Sequence, residues 1–357
     1  MMNKNKFYTL LILLLAFTAC KKDTSDTSQD FDQLKSTVIT DFSVHIAVPL
    51  YADLAQHAAD LHAAIVRLND TTNEAHLAAA RIQWQSMRAI WEQSEAFLFG
   101  PVEDHDYDPK MDTWPTDYNA MDVLLASANP LTISDIDNLP TALRGYHPLE
   151  YILFGVDGQR SASSITARQK NYMLGLSEDL MNTCQVLYQD WIAAPVAYSN
   201  AVQTAGKGSA VFASQQELYI ALVDAMTGIC EEVGTGKILE PFAAYDSSIV
   251  ESPYSGTSMI DFRNNVLGIQ NVYLGRYAGT QAKGIKDLVA AKNKLLDNKI
   301  QNQMASALAA FDNVTLPFEQ AIFTQRVQVQ HVMDALALLQ TTLEAELRPF
   351  VLQQITN

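Results

Sequence analysis

From Phe31 to Asp70, from Glu74 to Phe99 and from Gln281 to Asn313, alanine and leucine recur at spacings of three and four, and alternating β-branched runs are few. That period predicts helices and an all-α protein. Leu77, Trp84 and Trp91 stand seven apart, with Ala80 and Met87 filling the turns between them, so one apolar stripe should face a bundle interior. Pro49 is expected to start or kink a helix, Pro317 to open the last long one, and Pro349 to close it or shift its course.

The pattern breaks in two tracts, FGPVEDHDYDPKMDTWPTD at 99–117 and YDSSIVESPYSGTS at 245–258. Both are expected to be long irregular segments between helices, where function is often housed. A third break, APVAYSNAVQTAGKGSA, divides the chain near its midpoint and predicts a first bundle over 31–195 and a second over 209–357. The halves echo each other: Glu92 lies nine residues before Pro101 and Glu232 nine before Pro241, each where a helix runs into an irregular tract. Two related bundles are the expectation.

Residues 1–19 change the picture of compartment. Lys4 and Lys6 precede an apolar run from Leu10 to Phe17, then small residues and Cys20, the layout of a secretory signal. The run is too short to span a bilayer, which takes about 20 residues. Thr18-Ala19-Cys20 resembles a bacterial lipoprotein cleavage box, although Phe17 stands where an aliphatic residue is expected; an ordinary signal peptide is the alternative. On the lipoprotein reading the acylated Cys20 is expected to anchor the chain in the lipid bilayer, at the periplasmic face or surface of the outer membrane, with 20–30 as a solvated tether.

With 357 residues, about two domains are expected, and 48% apolar against 18% charged residues suits a packed core. The 40 acidic and 24 basic residues give a formal charge of −16, which loss of Lys4 and Lys6 with the leader takes to −18. Nucleic acid is therefore excluded as a partner class. Cys184 and Cys230 alone remain in the mature chain, too few for a cysteine metal cluster; one bridge or two buried thiols are both compatible with their apolar surroundings.

Candidate chemistry gathers around RGYHPLEYILFG, where Gly145, His147 and Glu150 form G-x-H-x-x-E. Pro148 suits a first helical turn, which would put His147 near the N-cap and Glu150 near the third position, within reach of each other. An ordinary helix start, with Glu150 capping backbone donors, explains the same residues. The spacing is also common here, since His57 with Asp60, His105 with Asp108 and His331 with Asp334 repeat it. What adds weight is Arg88 and Glu95 on the face of Trp84 and Trp91, because charges on a core-facing stripe are costly unless paired. An Arg88–Glu92 pair would leave Glu95 without a partner. Downstream, Ser258 and Asp261 read as a capping box, followed by Asn264 and Asn265. Two helix amino ends backed by irregular loops suit an anion or a set of metal ligands.

WEQSEAFLFGPV, MDTWP, RGYHPLEYILFG and ESPYSGTSMIDFRNN together resemble the imelysin family, the insulin-cleaving membrane protease group of bacterial envelope proteins, over almost the whole mature chain. The resemblance implies two helical bundles packed side by side with a pocket where they meet. It also implies an association with iron acquisition, with iron-uptake membrane components as partners, and a peptidase label on the motif matched by Gly145, His147 and Glu150.

No H-E-x-x-H zinc-peptidase motif is present, and H-x-x-E supplies at most two ligands, so a metal would need more from elsewhere. Glu95 and Asp261 are the expected further metal ligands beside His147 and Glu150; Gly145, Arg88, Asp112, Asp117, Ser258 and Asn264 are the expected binding residues. Such an oxygen-rich set suits iron first, with manganese, calcium or zinc as other candidates. Two functions follow: an envelope lipoprotein capturing iron or an iron-related ligand between the bundles, or a metal-dependent endopeptidase with Glu150 as its catalytic base.

Overall fold

The computed structural model describes residues 24–193, 195 and 197–356, with side chains from residue 30 onward. The expected leader and Cys20 lie outside the described residues. The principal helices in the amino-terminal half are α1 (Thr24–Phe42), α2 (Val48–Asp70), α3 (Glu74–Ser94), α4 (Tyr107–Asp112), α5 (Tyr146–Phe154) and α6 (Ala167–Ile192). Those of the other half are α7 (Gln215–Glu231), α8 (Ser258–Leu274), α9 (Lys294–Asp312) and α10 (Arg326–Thr342). The fold is all-α, with one two-residue hairpin, Arg276–Tyr277 against Thr280–Gln281, among the described residues.

The α3 stripe folds as its spacing predicts: Leu77, Ala80, Trp84, Met87 and Trp91 are all fully buried, and Asn73 caps the helix by accepting from the His76 amide at 2.8 Å. Around this stripe α2 packs against both α3 and α6. In the other half α9 packs against α10 and α8, and α7 against α10. The halves meet where α3 crosses α8. There Gly268 lies so close to the Gln93 carbonyl that a Cβ would collide with it, so the absence of a side chain sets the approach of the two backbones. Gln93 also donates to Asn264 at 3.1 Å and accepts from Asn271 at 3.0 Å, fastening the crossing with partly buried amides.

Three prolines act alike. Pro49, Pro241 and Pro349 each follow a π-helical turn, at Ser43–Ala47, Glu232–Ile238 and Leu343–Leu347. Proline has no N–H to close the bond four residues back, and the preceding turn widens instead of breaking. Pro49 and Pro349 therefore lie within long helical runs without ending them.

Several expectations are corrected. Pro317 opens only the short helix Phe318–Thr324, and the last long helix begins at Arg326. Gln281 is in the hairpin, and the run behind it is split at Asn293, whose side chain caps α9. Residues 99–117 are less irregular than expected, since they contain Pro101–Asp104 and α4, and the midpoint segment contains the helix Tyr198–Gln203. The stretch read as a tether is helical from Thr24. Of the two readings left open for Cys184 and Cys230, that of buried free thiols holds.

Candidate functional site

The helix start at the G-x-H-x-x-E motif is set by Gly145. Its φ of +83° is a glycine conformation, and any Cβ would run into the Met111 carbonyl, so the start of α5 lies directly against the end of α4. Gly145 thus brings His147 to Asp112 through the packing of α5 against α4. α5 begins at Tyr146, two residues earlier than Pro148 suggested, so Glu150 sits in the second turn and caps nothing in its own helix.

His147 is fully buried between acids. Its Nε2 lies 3.0 Å from Asp112 Oδ1 and 3.7 Å from Glu251 Oε1, its Nδ1 lies 3.6 Å from Glu150 Oε2, and the Trp114 ring meets it edge-on. Neither ring nitrogen is aligned for a hydrogen bond. Burial opposes its charge, but Asp112 and Glu150 lift the pKa to about 9.

Glu150 is also fully buried, and its Oε1 accepts from the Tyr254 amide at 3.1 Å and from the amide and hydroxyl of Ser255, both at 2.7 Å. It therefore fastens the 251–257 loop, which carries Glu251. Ser258, expected as a cap, instead is the first residue of α8 and donates to the Glu251 carbonyl; Thr257 Oγ1 donates to Asp261 at 2.9 Å.

Arg88 is fully buried in the middle of this arrangement. Its guanidinium pairs with Asp112, Glu251 and Glu92, lies 3.8 Å from Asp261, and stands over the Tyr146 ring. Glu95 is not left alone, as the sequence suggested: Asn265 donates to it at 2.6 Å and to Glu92 at 2.7 Å, and Lys237 lies 3.5 Å away. Asp112 is held well below the usual carboxylate range by Arg88 and His147 despite its burial. Burial pushes Glu92, Glu95 and Asp261 up, and the neighbouring Glu92 adds to the effect at Glu95 and Asp261.

A cavity of about 250 Å³ opens onto this cluster, lined by Glu95, Asp108, Asp112, Glu232, Glu240 and Glu251, with Trp114, Ile249 and Lys237. Asp108, partly buried beside Asp112, has its pKa raised to about 7. Around the cavity and its floor, Glu92, Glu95, Asp112, Glu150, Glu251 and Asp261 outnumber Arg88, Lys237 and His147 by six to three. So much uncompensated buried negative charge either binds protons or calls for a further cation.

The donor set fits such a cation. Ligands at about 2.1 Å from a metal sit roughly 3.0–3.4 Å apart, near the His147–Asp112 separation. Donor atoms of Asp112, His147 and Glu251 lie within 4.8 Å of one another, as do those of Glu92, Glu95 and Asp112. Carboxylates with one imidazole suit iron or manganese. At the first triplet Arg88 already pairs with the oxygens that face His147, so the cavity side, at Glu95, Asp112 and Glu251, is the more accessible to a cation, which there meets the ammonium of Lys237.

Of the other residues expected from the sequence, Asp261 stands behind Arg88 and does not line the cavity. Asp117 is exposed and caps a separate helix by accepting from the Ala120 amide at 2.9 Å. Asn264 belongs to the α3–α8 crossing. The reading of the sequence missed Glu251, Lys237 and Ser255. Glu251 and Ser255 lie in an irregular tract that was singled out as a whole, and Lys237 is the lone base in the acidic segment EEVGTGKILEP.

Residues 47–346 match the imelysin family. Among known relatives, iron-regulated protein A of Synechococcus elongatus is 28% identical over 323 residues, covering 89% of this chain and 87% of the relative. A crystal structure described as an iron-regulated protein A precursor from Parabacteroides distasonis superposes with a TM-score of 0.81 at 27% identity, over 91% of this chain and 95% of the other. An imelysin-like protein from Psychrobacter arcticum shares the fold, with a TM-score of 0.72 at 15% identity over 91% and 98% of the two chains.

Proposed function

The chain belongs to the imelysin family, and from that premise we propose that it is an iron-binding lipoprotein of the bacterial cell envelope, with iron as its cargo. The observation that carries this reading is the six-to-three excess of buried carboxylates over cationic side chains around one open cavity. Asp112, Glu251 and Glu95 would hold the cation at the cavity wall. His147 backs Asp112 and Glu251 from behind, and Glu150 secures the loop bearing Glu251. The G-x-H-x-x-E motif thus supports the cavity's acids more than it contacts a ligand, and supporting partners of this kind tune affinity.

The peptidase reading needs Glu150 to reach a water molecule beside a substrate. Its Oε1 is taken by three donors, its Oε2 faces His147, and neither residue lines the cavity, so the geometry favours binding over hydrolysis.

Anaerobic titration of the purified protein with ferrous ion tests the proposal. Saturable binding is expected, weakened roughly tenfold or more by Asp112→Asn or Glu251→Gln, each with unchanged helical circular dichroism. Binding that is absent, or indifferent to both substitutions, refutes it. Metal-dependent cleavage of a denatured protein, lost in Glu150→Gln while metal binding persists, would establish the enzyme instead.

A further inference from the structure

Lys237 enters the cavity from the π-helical turn Glu232–Ile238. Its Nζ lies 3.5 Å from Glu95, 3.4 Å from Glu251 and 3.2 Å from Glu232. All three separations exceed the roughly 2.7–2.9 Å of a charge-assisted hydrogen bond. The ammonium is held by the field of three carboxylates and not by a directional bond to any of them. It sits where a bound cation would sit.

We propose that Lys237 is a displaceable plug. In the ligand-free protein its ammonium fills the cation position between Glu95 and Glu251, and an incoming metal cation drives it outward to Glu232. This rests on the cation-binding reading above and specifies how that site discriminates among cations.

Two features support the exchange. Glu232 is 55% exposed on its side chain, against 4% for Glu95 and 6% for Glu251, so it offers the ammonium a station at the mouth. A Cβ at the neighbouring Gly236 would meet nothing within 4 Å, so the turn has room to move beside Lys237. Exchange of a single positive charge for a double or triple one favours multivalent ions, because the acids gain more from the ion than they lose with the ammonium. Monovalent cations gain no such advantage. The plug would therefore exclude sodium and potassium while admitting iron.

Calorimetric titration of the full chain with manganous ion, an air-stable probe, tests this in the wild type, Lys237→Met and Lys237→Gln. Removing the competing ammonium should tighten binding roughly tenfold or more in both variants. Unchanged or weaker binding in a folded variant overturns the plug and makes Lys237 an ordinary structural partner of the acids. Glu95→Gln separates the two readings. If it weakens binding while neither lysine variant tightens it, only the plug fails; if manganous ion binds none of the four proteins, the cation site fails with it.

Discussion

His147 shows what one residue does when acids surround it. Its pKa is raised from the ordinary 6.5 to about 9, because Asp112 and Glu150 outweigh the cost of burying the charge. A group whose folded pKa is raised stabilises the fold fully below its unfolded value and loses that contribution as pH rises through the folded one. The His147 contribution is thus complete below about pH 6.5 and lost towards pH 9, with an upper bound on the order of 3 kcal/mol. Urea unfolding at pH 6 and pH 9 should show wild type losing more stability across that window than His147→Gln. Parallel losses would mean that the imidazole is not charged in the folded protein. The subtraction matters, because Glu92 and Glu95 also titrate abnormally nearby.

Among the elements, the loop at 251–257 depends on a carboxylate from another part of the chain. Glu150 gathers three donors from Tyr254 and Ser255, and charged acceptors of this kind contribute about 1.5–3 kcal/mol each. Glu150→Ala should therefore release the loop, speeding amide exchange at Tyr254 and Ser255 roughly tenfold or more, and weaken cation binding through Glu251. Glu150→Gln, which keeps an accepting oxygen, should do less. Equal exchange in wild type and Glu150→Ala would show that the loop is held by other contacts. The α3 stripe was legible in the sequence because helical period and burial are local properties. The role of Glu150 was not, because its partners lie 104 and 105 residues away. For the same reason Ser258 and Asp261 read as a capping box, although their actual partners, Glu251 and Thr257, form a different arrangement.

The whole molecule places its acidic cavity where the two groups of helices join, with Glu95 and Asp112 from one half and Glu251 and Lys237 from the other. A chain of formal charge −16 gains nothing from anionic lipid, so on the proposed lipoprotein reading attachment would come through Cys20. Cys20→Ser should move the protein from the membrane fraction to the soluble periplasmic fraction. Retention of the variant in washed membranes would remove the lipid anchor from the proposal. Among the described residues, Asp30–Asp70 is long and apolar enough to cross a bilayer, yet it is a core element, with α2 packed between α3 and α6.

By itself the sequence determined the helices, their buried faces, the acidic character, and the placing of Arg88 and Glu95 as charges on an apolar face. These follow from periodicity and from the cost of placing charge on an apolar face, which neighbouring residues already reveal. Only the tertiary structure decided which acids share the cavity, that Glu150 fastens a distant loop, and that Lys237 stands between Glu95 and Glu251. Electrostatic and hydrogen-bond energies depend on separations of a few ångströms, and across more than a hundred residues those separations are set by packing such as the contact of Gly268 with Gln93, not by spacing along the chain.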